Sequence, residues 1–142
     1  MDPLSYLLLT RKLIGTDREV LMAGLAADMP FYLTYPTWLL VHSGIADAFR
    51  KNKWPEAPKW MQIIHHIFHS LPVLLVITIV LRLVKGYWPL WGSAWELHIL
   101  VDIPTHSRLN WAPQFLWPLS DVTVDGVSWA KVMVLIFHRI FR

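Results

Sequence analysis

Residues 60–81 form an unbroken run of 22 positions without Asp, Glu, Lys or Arg, bounded by Lys59 and Arg82, and no other feature restricts the chain as much. As a helix this run extends roughly 33 Å, which matches a hydrocarbon core about 30 Å thick. It is therefore expected to be a membrane-spanning helix, kinked at Pro72 in the way that lipid-embedded helices tolerate. Composition agrees. Of the 142 residues 55% belong to the AVILMFWYC set and only 16% are charged, below the roughly 25% usual in soluble domains. Nine Trp and a mean hydropathy of +0.40 give more apolar and interfacial side chain than a globule of this size can hide. The expected organisation is a single integral-membrane domain over residues 1–142.

The remaining apolar segments are shorter or interrupted. Residues 29–46 are uncharged but contain Pro30, Pro36 and Gly44, the pattern of a broken span or a re-entrant segment. Residues 89–103 are apolar apart from Glu96, His98 and Asp102, and residues 127–141 apart from Lys131, His138 and Arg139. Both need tilt, protein cover or interfacial placement to lie in a bilayer. Near the N-terminus, residues 4–14 and 20–28 read as two brief helices separated by Gly15, Thr16, Asp17 and Arg18, with Asp17 as the N-cap of the second. The expected fold class is all-α, a small polytopic membrane helix bundle with short, broken or re-entrant helices. Residues 50–59 carry Arg50, Lys51, Lys53 and Lys59 with Pro55 and Pro58, an exposed loop that the positive-inside tendency places in the cytoplasm. Asp2 stands where a cleavable signal would be basic, so the membrane segments are expected to be retained.

Charge and cysteine usage narrow the chemistry. There is no Cys, which removes disulfides, thiolate metal sites and cysteine nucleophiles and leaves His, Asp and Glu as metal ligands. The net charge of +3 comes from basic residues clustered at the edges of apolar runs, so nucleic acid is not an expected partner and the lipid bilayer is. The sequence has no phosphate-cradling glycine loop and no serine nucleophile turn.

The ionisable residues inside the apolar segments carry the functional signal. His65 and His69 are four apart and share a helix face; His98 and Asp102 repeat that spacing on a later segment. If the two segments form an antiparallel hairpin turning at residues 86–89, His69 lies 17 residues before Gly86 and Asp102 lies 13 after Pro89. Those distances, roughly 26 and 20 Å of helix, bring the pairs to similar depth. Three imidazoles and a carboxylate then converge, a set suited to a divalent transition metal such as Zn²⁺, Mn²⁺, Fe or Ni and ill suited to Mg²⁺ or Ca²⁺. Against this stands a bland reading, in which each buried His merely bonds a neighbouring helix. His66 points away from its neighbours, and His138 reads as interfacial. Asp28 ends an apolar stretch against the helix dipole, which a metal would compensate. His106 follows Asp102 by four residues across Pro104, as a further ligand or a proton-transfer group.

The order Asp28, then His69-Ser70-Leu71, then His98-Ile99-Leu100-Val101-Asp102-Ile103-Pro104-Thr105, then Phe115-Leu116-Trp117-Pro118-Leu119-Ser120 resembles the YdjM-like family of predicted membrane-bound metal-dependent hydrolases. These are small inner-membrane proteins of bacteria and archaea. The resemblance covers roughly residues 20–120, and its third and fourth motifs match best. Pro30 replaces the second acid of the first motif, Phe68 the usual Thr, and Tyr6 an early His. The resemblance implies a metal site of Asp28, His69, His98 and Asp102, with His65 as an extra ligand, in a multi-pass protein of the cell inner membrane.

The function expected from these readings is a membrane-embedded, metal-dependent hydrolase, with zinc or manganese activating a water toward a phosphoester or lipid-like substrate. Asp102 would serve the metal and His106 the proton transfer. The alternative is a metal-binding or structural membrane protein without catalytic activity.

Overall fold

A computed structural model of the chain describes residues 3–42, 56–108 and 111–127. Among the described residues there are six helices and no strand: α1 (Pro3–Leu13), α2 (Arg18–Ala26), α3 (Met29–His42), α4 (Lys59–Phe68), α5 (Leu71–Lys85) and α6 (Leu90–Thr105). The all-α expectation holds for these residues. Residues 50–55 of the basic loop, and the last apolar stretch beyond residue 127 with His138, lie outside the described residues.

The uncharged run is not one helix. It divides at His69 and Ser70 into α4 and α5, which are bent by 56°. The reason is local and then tertiary. Ser70 is extended, at φ −102° and ψ 119°, and its Oγ accepts the Val73 N–H at 3.1 Å as an N-cap. Pro72 occupies the first turn of α5, where a missing N–H costs nothing. A later loop completes the break: the Leu71 N–H donates to the Phe115 carbonyl at 2.9 Å, and the Ser70 hydroxyl donates to the Trp117 carbonyl. Among the described residues no single helix is long and apolar enough to cross a membrane, whereas α4 and α5 pass that test together as a bent pair.

Helix α6 is the organising element. It packs chiefly on α2, while α1 covers α2 and α3 lies against α4. Gly86, at φ 81°, adopts the left-handed conformation that ends α5 and turns the chain toward α6. Small residues allow α2 to be approached closely, since Ala23 and Val20 are buried with Ala94 of α6. A second cluster joins Tyr35, Leu39, Ala57 and Met61, with Phe31, Trp38 and Trp111 against it. Between the clusters lies a polar interior, in which His69, Ser70, His98 and Asp102 are all buried to 1% exposure or less.

Gly24 shows how tightly α1 and α2 meet. A methyl group there would collide with Thr10 Oγ1 and lie 3.3 Å from its Cβ and Cγ2. Gly24→Ala is expected to force the two helices apart and to destabilise the protein by about 1–3 kcal/mol, the usual cost of overpacking. Thermal denaturation in detergent measures this, and adding Thr10→Ala should recover most of the loss by removing the atoms that the methyl meets. Equal stability of Gly24→Ala and wild type would contradict the contact.

Candidate metal centre

Four side chains from three separate parts of the fold meet inside the helices. Asp28 stands in the turn between α2 and α3, His69 caps the C-terminus of α4 at the break, and His98 and Asp102 lie one turn apart on α6. Each offers a ligand atom within 4.8 Å of the other three. His69 Nε2 is 3.3 Å from Asp28 Oδ1 and 3.2 Å from Asp102 Oδ2. His98 Nε2 is 3.6 Å from Asp28 Oδ2 and 3.2 Å from Asp102 Oδ2.

The other ring nitrogens define the tautomers. His69 Nδ1 lies 3.0 Å from the His65 carbonyl and His98 Nδ1 lies 2.7 Å from the Gly24 carbonyl. A carbonyl can only accept, so both Nδ1 atoms carry the proton and donate. The Gly24 carbonyl is presented because α2 stops at Ala26 and the Asp28 N–H turns to Leu25. In the neutral imidazoles each Nε2 is then a bare lone pair. Both Nε2 atoms are buried without a hydrogen-bond partner. Two lone pairs face two carboxylates in an interior where such a group normally costs about 1–3 kcal/mol if left unsatisfied.

A cation would resolve this arrangement. Ligands about 2.0–2.2 Å from a tetrahedral ion stand about 3.3–3.6 Å from one another, close to the 3.2–3.6 Å spacings between the imidazole nitrogens and carboxylate oxygens. Two imidazoles with two carboxylates are borderline-soft and anionic donors, the set that Zn²⁺ and Mn²⁺ accept. No family model, curated protein or solved structure matches this chain. The centre therefore rests on its own geometry.

Asp102 is the hub. Its Oδ2 faces both imidazoles, while its Oδ1 accepts the Tyr6 hydroxyl and lies 3.2 Å from His106 Nδ1. The His106 ring is 23% exposed at its side chain, and its backbone carbonyl accepts the Gly126 N–H at 2.9 Å, which pins the end of α6. Asp28 is the least buried of the four, with 16% of its side chain exposed, so the centre opens on the side of Asp28.

The structure places the expected residues unevenly. Asp28, His69, His98 and Asp102 form one group, whereas His65 is outside it. His65 supports His69 instead: its carbonyl takes the Nδ1 proton and its ring stacks on His69 at 4.0 Å. Its far side packs against Phe31 and Trp111. Two residues carry more of the site than sequence reasoning assigned them. Gly24 supplies the carbonyl for His98, and Tyr6 bonds Asp102 while stacking on the His98 ring at 3.7 Å. The available sign of Tyr6 was its i,i+4 spacing from Thr10, two polar groups on one face of an apolar helix, both buried here.

Proposed function

We propose that this chain is a metal-dependent hydrolase of a lipid membrane, using zinc or manganese held by Asp28, His69, His98 and Asp102 to cleave a phosphoester or lipid-like substrate. The observation that carries the reading is the pair of buried Nε2 atoms, both without a hydrogen-bond partner and both aimed at carboxylates. A divalent ion there supplies Lewis-acid polarisation and lowers the pKa of a water. The chain's own groups do the rest. Asp28, at the open side, meets whatever enters. His106, whose Nδ1 lies 3.2 Å from Asp102 Oδ1, would serve proton transfer beside the centre. His65 and Gly24 hold the two ligand imidazoles in the required tautomer through their carbonyls.

The membrane setting is supported by the surface. Helix α5 buries only Leu74, while Leu75, Val76, Val80, Leu83 and Val84 are each more than half exposed. An apolar face of that extent calls for a partner, and a bilayer is the partner that also suits the bent α4–α5 pair. The motif resemblance adds a multi-pass protein of the cell inner membrane.

A second reading, an ion held without turnover, has an observation of its own: four protein ligands are enough to close a tetrahedral site, as in structural zinc centres. Metal analysis of detergent-purified protein, followed by turnover assays on phosphomonoester, phosphodiester and carboxylic ester substrates, separates the cases. One ion per chain with hydrolysis that a chelator stops is the expected result. One ion with no turnover leaves the second reading, and no ion overturns both.

A further inference from the structure

Helix α1 contributes none of the four ligand side chains, yet it reaches the centre through Tyr6, which is 1% exposed. The phenol donates to Asp102 Oδ1 from 96 positions earlier in the chain. Its ring lies nearly parallel to the His98 imidazole, at 3.7 Å and 14°. One side chain thus touches two of the four ligands, one by its polar end and one by its face. One turn further along α1, Thr10 sits against Gly24, whose carbonyl holds His98 Nδ1. The two α6 ligands are consequently oriented by the α1–α2 pair.

We propose that Tyr6 is a positioning residue of the metal centre, whose hydroxyl occupies Asp102 Oδ1 so that Oδ2 alone serves the ion while its ring fixes the plane of His98. The inference rests on the metal reading above and concerns a residue outside the ligand set. A carboxylate with both oxygens available can bind an ion through one or both of them, and a hydrogen bond to one oxygen selects the other. Oδ1 also lies near His106 Nδ1, but that ring is partly exposed and belongs to the same end of α6 as Asp102 itself. Tyr6 is buried and anchored on another helix, so it resists rotation of the Asp102 side chain where His106 can move with it. Its ring adds a wall that a hydrogen bond alone would not give, since the His98 imidazole cannot turn about its own axis without losing the stack.

Cobalt(II), whose visible bands weaken as coordination number rises, tests this in detergent-solubilised, full-length protein. Tyr6→Phe keeps the ring and removes the hydroxyl. It is expected to bind Co²⁺ about 10- to 100-fold more weakly, the range for losing a partner that orients a ligand, and to show weaker visible bands as Oδ1 joins the ion. Metal-free helicity and melting are recorded alongside, because a purely structural Tyr6 would lower the melting temperature and leave both the Co²⁺ affinity and the spectrum unchanged; that result overturns the inference. A second measurement avoids the substitution's effect on folding. With 3-fluorotyrosine at position 6, ring and hydroxyl are kept, and the fluorine resonance should move strongly with paramagnetic Co²⁺ and little with Zn²⁺. A resonance indifferent to Co²⁺ that is bound places Tyr6 away from the ion and likewise overturns it. Wild-type protein that takes up no Co²⁺ sinks the metal reading and this inference together, whereas uptake with an unaltered Tyr6→Phe spectrum sinks this inference alone.

Discussion

Asp102→Asn is expected to remove bound metal and, with it, any hydrolytic activity, while the protein still inserts into membranes and folds. Asn keeps the shape of the side chain and loses the anionic oxygen that stands 3.2 Å from both Nε2 atoms. Affinity should fall by more than about 100-fold, since even the loss of an outer partner costs 10- to 100-fold. The carboxylate is 1% exposed and stands 3.2 Å from nitrogens of His69, His98 and His106, so its charge is met by those rings or by an ion. These two sources predict different behaviour. If an ion compensates, the Asn variant behaves like chelated wild type. If Asp102 only hydrogen-bonds its neighbours, wild type ignores a chelator, and the neutral isostere is tolerated or stabilising. Metal content and thermal midpoints of both proteins, with and without chelator, decide the matter.

Chelation of the wild type should itself have a large effect. An ion that binds only the folded chain stabilises it in proportion to the logarithm of its concentration over its Kd, about 4 kcal/mol at a thousandfold excess. For a chain of this length that corresponds to a fall in melting temperature on the order of 10 °C when the ion is withdrawn. Three separate parts of the fold supply the ligands, so the loss should appear as one cooperative shift rather than as fraying of a single helix. Refilling with Zn²⁺ or Mn²⁺ should restore the midpoint, and the ion that restores it at the lowest free concentration is the preferred one. An unchanged midpoint after complete chelation would remove the ion from the protein's stability.

What the sequence revealed of this centre follows from where its information is local. His98 and Asp102 are one turn apart on a continuous helix, so spacing alone placed them together. His69 was found by the same rule paired with His65, but the rule assumes that the helix continues. It stops at Phe68, and His69, at φ −105° and ψ 22°, joins the carboxylates while His65 stays with Phe31 and Trp111. Ser70 followed by Leu71 and Pro72 is a helix start signal that could be read in advance. Counting charges alone makes the run one span, kinked at Pro72, rather than two helices that part at His69 and Ser70. The carbonyls of Phe115 and Trp117 that complete the break could not be read, because nothing near them in sequence announces a partner so far away. Gly24 is illegible for a related reason, since a backbone carbonyl carries no charge pattern, and Tyr6 shows only by its spacing from Thr10 and by standing in place of an early His; both acquire their roles where α1 and α2 meet α6.

The break between α4 and α5 also has a bearing on the order in which the protein can be made. Ser70 is bonded to the Trp117 carbonyl, 47 residues later in the chain. At ribosomal rates of roughly 5–20 residues per second, Ser70 is added about 2–9 s before that carbonyl exists. During this interval the bend has only its local causes, the Ser70 cap and Pro72. The Phe115–Trp117 carbonyls then complete the break at which His69 faces Asp28, His98 and Asp102. The bend thus begins with residues adjacent in sequence and is finished by a loop made later.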